Sequence, residues 1–381
     1  MTTKKQFLMM ALLALIATAA FAQRVGDTVT VSGVSGNYTI ETVNGDVLTL
    51  RKVVTQGDGP VNWVAVPDST FGTTHINGVA WGNSTWVAVG DNGKIAYSSD
   101  GRSWTAIPPG TGAGQSRFLA SAASGSINAV AFGNNTFVAG GNSGNTAYST
   151  DNGRTWTAVS ASSIFGTAGA NSAINDIVYG GGRFVAVGQL GRTAYSTDGR
   201  SWTAGDSIDA FGRVTNTQDA ILAVGFGNNR FIAGGSAGRM VYSSNGAAWT
   251  AVPTANNGGI GTQSINGIAY ANNRWVAVAR AGRIAYSSDG TSWTEVPAAN
   301  AGGFRPAAPS AIFGVGFGNN RWVAVGESGK IAYSTDAATW TAVTNTGFPT
   351  TGNNRDILAV AYGNGRFVAV GQNGRMAYCD W

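Results

Sequence analysis

Short apolar segments separated by turn residues repeat along most of the chain. The unit is clearest over residues 312–343, IFGVGFGNNRWVAVGESGKIAYSTDAATWTAV. Segments of this length, rich in Val, Ile and aromatic residues and bounded by Gly, Asn and Asp, are typical of β-strands. No stretch has a helical period. Each unit therefore predicts four short strands, which in this copy are IFGVGF, RWVAVG, KIAYS and TWTAV.

Seven such units follow one another at nearly constant spacing. Their starts are 44 to 51 residues apart, close to the ~40–50 residues of a propeller blade, and lie at Ile76, Ile127, Ile174, Ile221, Ile265, Ile312 and Ile357. One four-stranded unit cannot bury both of its faces alone, so the copies must stack on one another. The pattern predicts an all-β fold, a seven-bladed β-propeller.

The seventh unit ends before its fourth strand, and the missing piece lies near the other end of the chain. Residues 61–67, VNWVAVP, match AAWTAVP at residues 247–253. A strand from the N-terminal side that completes the last blade closes the ring and leaves no unpaired edge within it. We therefore expect Trp63 to take the place that a tryptophan holds in the other fourth strands, Trp104, Trp156, Trp202, Trp249, Trp293 and Trp340.

Two more aromatic positions recur in every unit. One lies in the third strand, at Tyr97, Tyr148, Tyr195, Tyr242, Tyr286, Tyr333 and Tyr378. The other begins the second strand, at Trp86, Phe137, Phe184, Phe231, Trp275, Trp322 and Phe367. Rings that recur in all blades are expected to pack between blades as core.

Residues 1–60 lie outside the repeat. Residues 1–22 have the pattern of a secretory signal peptide, with Lys4 and Lys5 before an apolar run and Ala20-Phe21-Ala22 at the cleavage site. We expect export to the periplasm or the extracellular space, with no integral membrane segment in the mature chain. Residues 23–60 predict a small β-hairpin appendage that turns at Asn44-Gly45, followed by a linker.

Composition narrows the possible chemistry. The chain has 24 basic and 19 acidic residues, and loss of Lys4 and Lys5 with the leader would reduce the excess from five to three, too little to indicate nucleic-acid binding. Cys379 and His75 are the only residues of their types. An intramolecular disulfide and a metal cluster built on Cys or His are therefore excluded, and we expect no metal and no cofactor. Cys379 is predicted to be a small buried filler.

A second motif recurs between the predicted third and fourth strands. STDNGRTW at residues 149–156 fits the Asp-box pattern Ser/Thr-x-Asp-x-Gly-x-Thr-Trp, and shorter or decayed copies occur at residues 98–104, 196–202, 243–249, 287–293 and 334–340. The Asp can accept hydrogen bonds from its own turn, and the Gly tolerates a positive φ. A catalytic carboxylate would be unique, so a structural role is predicted for the repeated ones, Asp100, Asp151, Asp198, Asp289 and Asp336.

These motifs carry a family resemblance over residues 61–381. The chain resembles the Asp-box (BNR-type) propellers, which include sialidases, sortilin-type receptors and the photosystem II assembly and stability factors. The run VAVG-x-x-G-[KR]-x-A-Y-S-x-D-G-x-x-W is most similar to the photosystem II type. The resemblance implies that the Asp boxes lie on the face opposite the binding site, and that the photosystem II type uses an arginine patch.

Alternating strand directions place the long connections between blades on the face opposite the Asp boxes. A cation recurs there at the start of the third strand, and Arg280 adds another; the set is Lys94, Arg192, Arg239, Arg280, Arg283, Lys330 and Arg375. Two interpretations stay open: exposed positions that favour solubility, or a basic ring that attracts an acidic peptide, polysaccharide or carboxylate.

Catalytic residues are not predicted. Glycoside hydrolysis needs two carboxyl groups at a defined separation, and the mature chain has only three Glu. Weak candidates for the central channel are His75, Asp176, Asp219 and Asp356. The sequence favours a monomeric, non-enzymatic binding or assembly module with a protein partner. A lectin-like glycan binder is the first alternative, and a sialidase-like glycosidase is the second.

Overall fold

The computed structural model describes residues 62–108, 125–160, 165, 172–206, 219–305, 310–349 and 352–381, and the backbone of three strands before residue 54. The chain separates into two compact units, Met1–Pro60 and Val61–Trp381. The predicted leader, residues 1–22, lies outside the described residues. None of the described helices is both long and apolar enough to span a membrane.

The first unit contains a three-stranded antiparallel sheet in the order β1 (Thr28–Thr30), β2 (Asn37–Asn44) and β3 (Val47–Val53). Asn44 pairs with Val47, so β2 and β3 form a hairpin whose two turn residues lie outside the described part. Asn44, predicted as a turn residue, is therefore the last residue of β2.

The second unit is a ring of seven four-stranded antiparallel sheets, which confirms the predicted seven-bladed propeller. Blade one consists of β5 (Ile76–Gly82), β6 (Thr85–Gly90), β7 (Ile95–Ser98) and β8 (Thr105–Ile107), and blade two of β9 (Ile127–Gly133), β10 (Thr136–Gly141), β11 (Asn145–Ser149) and β12 (Thr157–Ser160). Blade three consists of β13 (Ile174–Gly180), β14 (Arg183–Gly188), β15 (Thr193–Ser196) and β16 (Thr203–Ala204), and blade four of β17 (Ile221–Gly227), β18 (Arg230–Gly235), β19 (Met240–Ser243) and β20 (Thr250–Val252). Blade five consists of β21 (Ile265–Ala271), β22 (Arg274–Ala279), β23 (Ile284–Ser287) and β24 (Thr294–Glu295), and blade six of β25 (Ile312–Gly318), β26 (Arg321–Gly326), β27 (Ile331–Ser334) and β28 (Thr341–Ala342). Blade seven consists of β29 (Ile357–Gly363), β30 (Arg366–Gly371), β31 (Met376–Asp380) and β4 (Val64–Ala65).

Short 3₁₀ turns join second to third strands or lie in connections between blades. Those among the described residues are Asp91–Gly93, Asn142–Gly144, Ser236–Gly238, Thr254–Asn256, Arg280–Gly282, Ala298–Asn300, Glu327–Gly329 and Gln372–Gly374. The first and second strands meet in two-residue turns with positive φ at both positions, as at Asn319 and Asn320. Asn suits these tight hairpin turns because it tolerates the left-handed region.

The ring closes as predicted. β4 pairs antiparallel with β31, with Val64 opposite Tyr378 and Ala65 opposite Ala377. Trp63 is buried against Phe367, at 6.4 Å between ring centroids. A strand from before the first blade therefore completes the last blade.

Neighbouring blades interlock through a glycine and a ring. The first strand ends in Gly in six blades. A Cβ added at this position would overlap the aromatic ring that faces it from the next blade. At Gly82 that ring is Phe132, and at Gly363 it is Trp81. Each of these rings packs on the ring that begins its own second strand, with centroids 4.6–5.0 Å apart. The rings at the start of the second strands are almost fully buried, as predicted for core.

The third-strand tyrosines, also predicted to be core, are only half-buried, and an arginine guanidinium covers the ring of each. In blades three to seven the arginine opens the second strand of the same blade, as in Arg230 over Tyr242 at 4.9 Å. Blades one and two have Thr at that position, and Arg154 and Arg200 from the next blade cover Tyr97 and Tyr148 instead. Each such contact contributes about 0.5–1 kcal/mol.

Candidate functional site

The turns between third and fourth strands, predicted to be structural, are held by their own side chains. Ser98 Oγ accepts from the Gly101 N–H at 2.8 Å, and Asp100 Oδ1 accepts from the N–H groups of Arg102 and Ser103 at 2.8 and 2.9 Å. The same bonds recur at Asp198, Asp289 and Asp336, and around Asn245 in the fourth blade. Burial opposes ionisation of Asp289, but these hydrogen bonds outweigh it and lower the pKa to about 2. The carboxylates are thus occupied within their turns.

The opposite face, which we call the connection face, carries the turns between second and third strands and the links from one blade to the next. At this face each first strand has a β-bulge, since the ladder skips one residue after the initial Ile, as between Ile76 and Gly78. A bulge re-aims the skipped side chain. The seven skipped residues, which we call the bulge ring, are Asn77, Asn128, Asn175, Leu222, Asn266, Phe313 and Leu358.

All seven members of the bulge ring line a cavity of about 370 Å³ in the channel between the blades. Each Asn donates from its amide nitrogen to the carbonyl of the Ile that begins the next blade, at 2.7–3.0 Å, so the Asn side chains also tie blades together. Within the described part of the chain their amide oxygens accept no hydrogen bond. The ring thus presents acceptors on some blades and apolar surface on others.

Asp176 is the only one of the four channel candidates that lines this cavity. Its Oδ1 accepts from the Ile177 N–H at 2.8 Å, and its Oδ2 accepts from the Val224 N–H of the next blade at 2.9 Å. It forms no ion pair with any residue that the structure describes. Desolvation in the channel wall outweighs the two hydrogen bonds and raises the pKa of Asp176 to about 7.

The other three candidates lie outside the cavity lining. Asp219 is buried and pairs with Arg239 at 2.9 Å. Asp356 accepts from the Ser328 N–H at 2.9 Å, and His75 Nδ1 lies 3.8 Å from Asp91 Oδ2. These residues precede their first strands and so contact the turns and connections. No cluster of three or more His, Cys, Asp or Glu that could hold a metal occurs among the described residues.

Most cations of the predicted basic ring bind the connection that leads into their own blade. Lys94 Nζ donates to the Phe71 carbonyl at 2.8 Å, Lys330 Nζ to the Gly303 carbonyl at 3.3 Å, and Arg375 to the Asn354 carbonyl at 2.8 Å. Arg192 and Arg283 donate likewise to Phe165 and Gly259, and Arg239 pairs with Asp219. These cations therefore stabilise the connections, a role that neither sequence interpretation included.

Arg280 differs from the other six cations. It is exposed, and within the described residues its guanidinium forms no hydrogen bond or ion pair. At the equivalent turn position Ser236, Glu327 and Gln372 accept a hydrogen bond from the backbone N–H of the residue before the first strand. A guanidinium cannot accept one, so Arg280 does not take this structural role.

Sequence reasoning missed the element that anchors the connections. Each described connection inserts one large apolar side chain into the core, namely Phe71, Phe165, Ile260, Phe304 or Phe348. The signal was visible as a recurring Phe or Ile, followed by Gly in three of these five. Its distance from the preceding strand varies, which hid the repeat. Residues 109–124 and 207–218, in the connections that lead into blades two and four, lie outside the described residues.

Cys379 is buried, at 3% exposure, as predicted for a filler. Burial raises the pKa of its thiol to about 12, so the thiolate needed for nucleophilic reactions is suppressed near neutral pH.

The fold is shared with several solved structures. A YCF48 bound to a D1 peptide superimposes with a TM-score of 0.62 at 15% identity, over 85% of this chain and 98% of the other. A catalytically inactive variant of virginiamycin B lyase from Staphylococcus aureus with quinupristin gives 0.62 at 11%, over 84% and 99%. The WD40 propeller domain of Doa1 gives 0.57 at 11%, over 85% and 97%.

At these identities the likeness establishes the propeller fold alone. No family model matches the sequence. No curated protein matches it either.

Proposed function

We propose that this chain is a non-enzymatic, Asp-box-type propeller that binds a protein partner on its connection face. The observation that carries the proposal is that the sevenfold repeat is broken there. The bulge ring contains Asn in four blades, Leu in two and Phe in one, and Asp176 and Arg280 each occur in one blade only. A specific site needs such asymmetry, whereas the turns on the opposite face repeat the same hydrogen bonds.

The structural neighbours support a protein partner. One of them is a YCF48 that is bound to a D1 peptide. The virginiamycin B lyase shows that the same fold also supports catalysis. In the present chain the described lining of the channel cavity contains a single carboxylate, Asp176, whereas glycoside hydrolysis uses a pair.

An acidic partner segment, which the sequence suggested, would depend on Arg280. The other six cations bind carbonyls or Asp219, so their reversal to Glu would damage the connections as well as any binding site. Capture of partners from the organism's own envelope fraction should therefore compare wild type with Arg280→Glu. Arg200→Glu is a control for the charge reversal, because Arg200 is also exposed but lies on the opposite face, where it covers Tyr148.

We expect the wild type and Arg200→Glu to retain the same crosslinked protein and Arg280→Glu to lose it if the segment is acidic. Equal capture by all three would reject the acidic segment but leave the connection face in place. Binding to a glycan array without any crosslinked protein would favour the lectin alternative. We also propose export, and N-terminal sequencing of the secreted protein should give Gln23 as the first residue.

A further inference from the structure

The cavity of the connection face combines one carboxyl group with a set of unused acceptors. In the sequence position that Asp176 occupies, the other six blades have only Gly or Ala, at Gly78, Ala129, Ala223, Gly267, Gly314 and Ala359. The fold therefore does not require a carboxyl group there. The neighbouring Asn77, Asn128 and Asn175 use their amide nitrogens between blades, which leaves their amide oxygens as acceptors.

Two of the three apolar members of the bulge ring lie on the side of the channel opposite Asp176. In a ring of seven, the point opposite blade three falls between blades six and seven, which contribute Phe313 and Leu358. Leu222 of blade four extends the apolar surface next to Asp176. All three side chains are only partly buried, so they offer apolar surface to the cavity.

This arrangement selects for a ligand with donors at one end and apolar surface at the other. A primary ammonium has three donors and no acceptor, so it can donate to the Asn amide oxygens and to the Asp176 carboxyl group. A volume of about 370 Å³ lies within the range of small-ligand sites. A carboxylate or phosphate would find no cation among the described lining residues.

We propose that the channel mouth binds a primary ammonium group carried next to an apolar group, with the ammonium on Asp176 and the apolar part on Phe313 and Leu358. The ammonium belongs to a lysine side chain or amino terminus of the protein partner, or to a free amine. The inference rests on the proposed function only for the first of these sources, because a small amine can occupy the cavity without a partner.

The test uses isothermal titration calorimetry of the mature protein with phenethylammonium at pH 8. Phenethyl alcohol and phenylpropionate, which keep the ring but are neutral and anionic, should bind at least tenfold more weakly. A Lys-Phe dipeptide blocked at both ends tests the side-chain source: binding as tight as that of the free amine assigns the site to partner peptides. Much weaker binding excludes the lysine side chain as the source of the ammonium.

Two variants and one control test the ligand site separately from the stability of the fold. Asp176→Ala copies Ala129 and should lower the affinity for phenethylammonium at least tenfold. Phe313→Asn copies the Asn of four sister blades, leaves Asp176 in place and should lower it severalfold. Asp206→Asn, which removes an exposed carboxylate outside the cavity lining, should leave it unchanged.

Equal affinity of wild type and Asp176→Ala, or tighter binding of phenylpropionate than of the amine, would overturn the proposal. Because the probe is a small molecule, either result is independent of partner capture. A chain that binds no amine but still captures its protein through the connection face would refute this site and keep the proposed function.

Discussion

Removal of the Trp63 side chain should weaken the closed ring by an amount that follows from its burial. Trp63 is 2% exposed and belongs to a core cluster with Val323, Phe348 and Phe367. Truncation of a buried Trp to Ala costs about 3–5 kcal/mol. A unit of this length has an unfolding entropy of roughly 0.7 kcal/mol/K, so Trp63→Ala should lower Tm by about 4–8 °C.

The indole nitrogen gives this experiment an internal control. Within the described residues the indole N–H of Trp63 has no hydrogen-bond partner, whereas the indole N–H of Trp156 donates to the Gly153 carbonyl at 2.9 Å. Trp63→Phe should therefore lose only part of the apolar contact and lower Tm by less than Trp63→Ala does. Trp156→Phe should lose a hydrogen bond as well.

Differential scanning calorimetry measures Tm, and limited proteolysis reports whether the two ends of the propeller separate. In Trp63→Ala the pairing of β4 with β31 has lost its anchor, so cleavage within residues 62–75, which contain β4 and its link to the first blade, should be faster than in wild type. A Tm indistinguishable from that of wild type, or equal damage from the Phe and Ala variants, would refute the reasoning that this side chain fastens the ring.

Further predictions concern the repeat and the channel. Gly363→Ala should cost about 1–3 kcal/mol in urea unfolding, because its Cβ would fall on the next blade's indole, while Ala271→Gly at the equivalent position should change the free energy far less. Asp151→Asn should resemble the natural Asn245 turn and retain stability, whereas Asp151→Ala should lose about 1–2 kcal/mol with its hydrogen bonds. Asp176 should make the free energy of unfolding fall as pH rises from about 4 to about 7. The reason is that its raised pKa lets the folded state keep a proton that the unfolded chain has lost. Denaturation at several pH values should show this slope in wild type and not in Asp176→Ala.

The architecture was predictable because its determinants are periodic. Trp63 could be assigned to the last blade because six other fourth strands show the same residue in the same context. The covering of Tyr97 by Arg154 was not predictable, because the arginine comes from a different repeat position and a different blade than in blades three to seven. Such exchanges between blades conserve a contact without conserving the sequence pattern.

The candidate site was predictable only in part. Asp176, Asp219 and Asp356 all lie near the start of a first strand, and sequence spacing could not separate them. The β-bulge decides the outcome, because only residues at or after the bulge line the channel cavity. Asp219 and Asp356 come before it and bind Arg239 and the Ser328 N–H instead.

The bulge also explains how a repeating fold can carry a specific site. A bulged residue is skipped by the ladder, so a change from Asn to Leu or Phe alters the cavity without changing strand register. Blades four, six and seven tolerate the loss of the bridging Asn because the glycine–ring contacts still join them to their neighbours. In two of these blades Arg230 and Arg366 also donate to the carbonyls of Asp289 and Asp100 in the next blade. Stability is therefore supplied by positions that repeat, whereas the seven skipped residues and the one carboxyl group beside them differ between blades and form the ligand site that we propose.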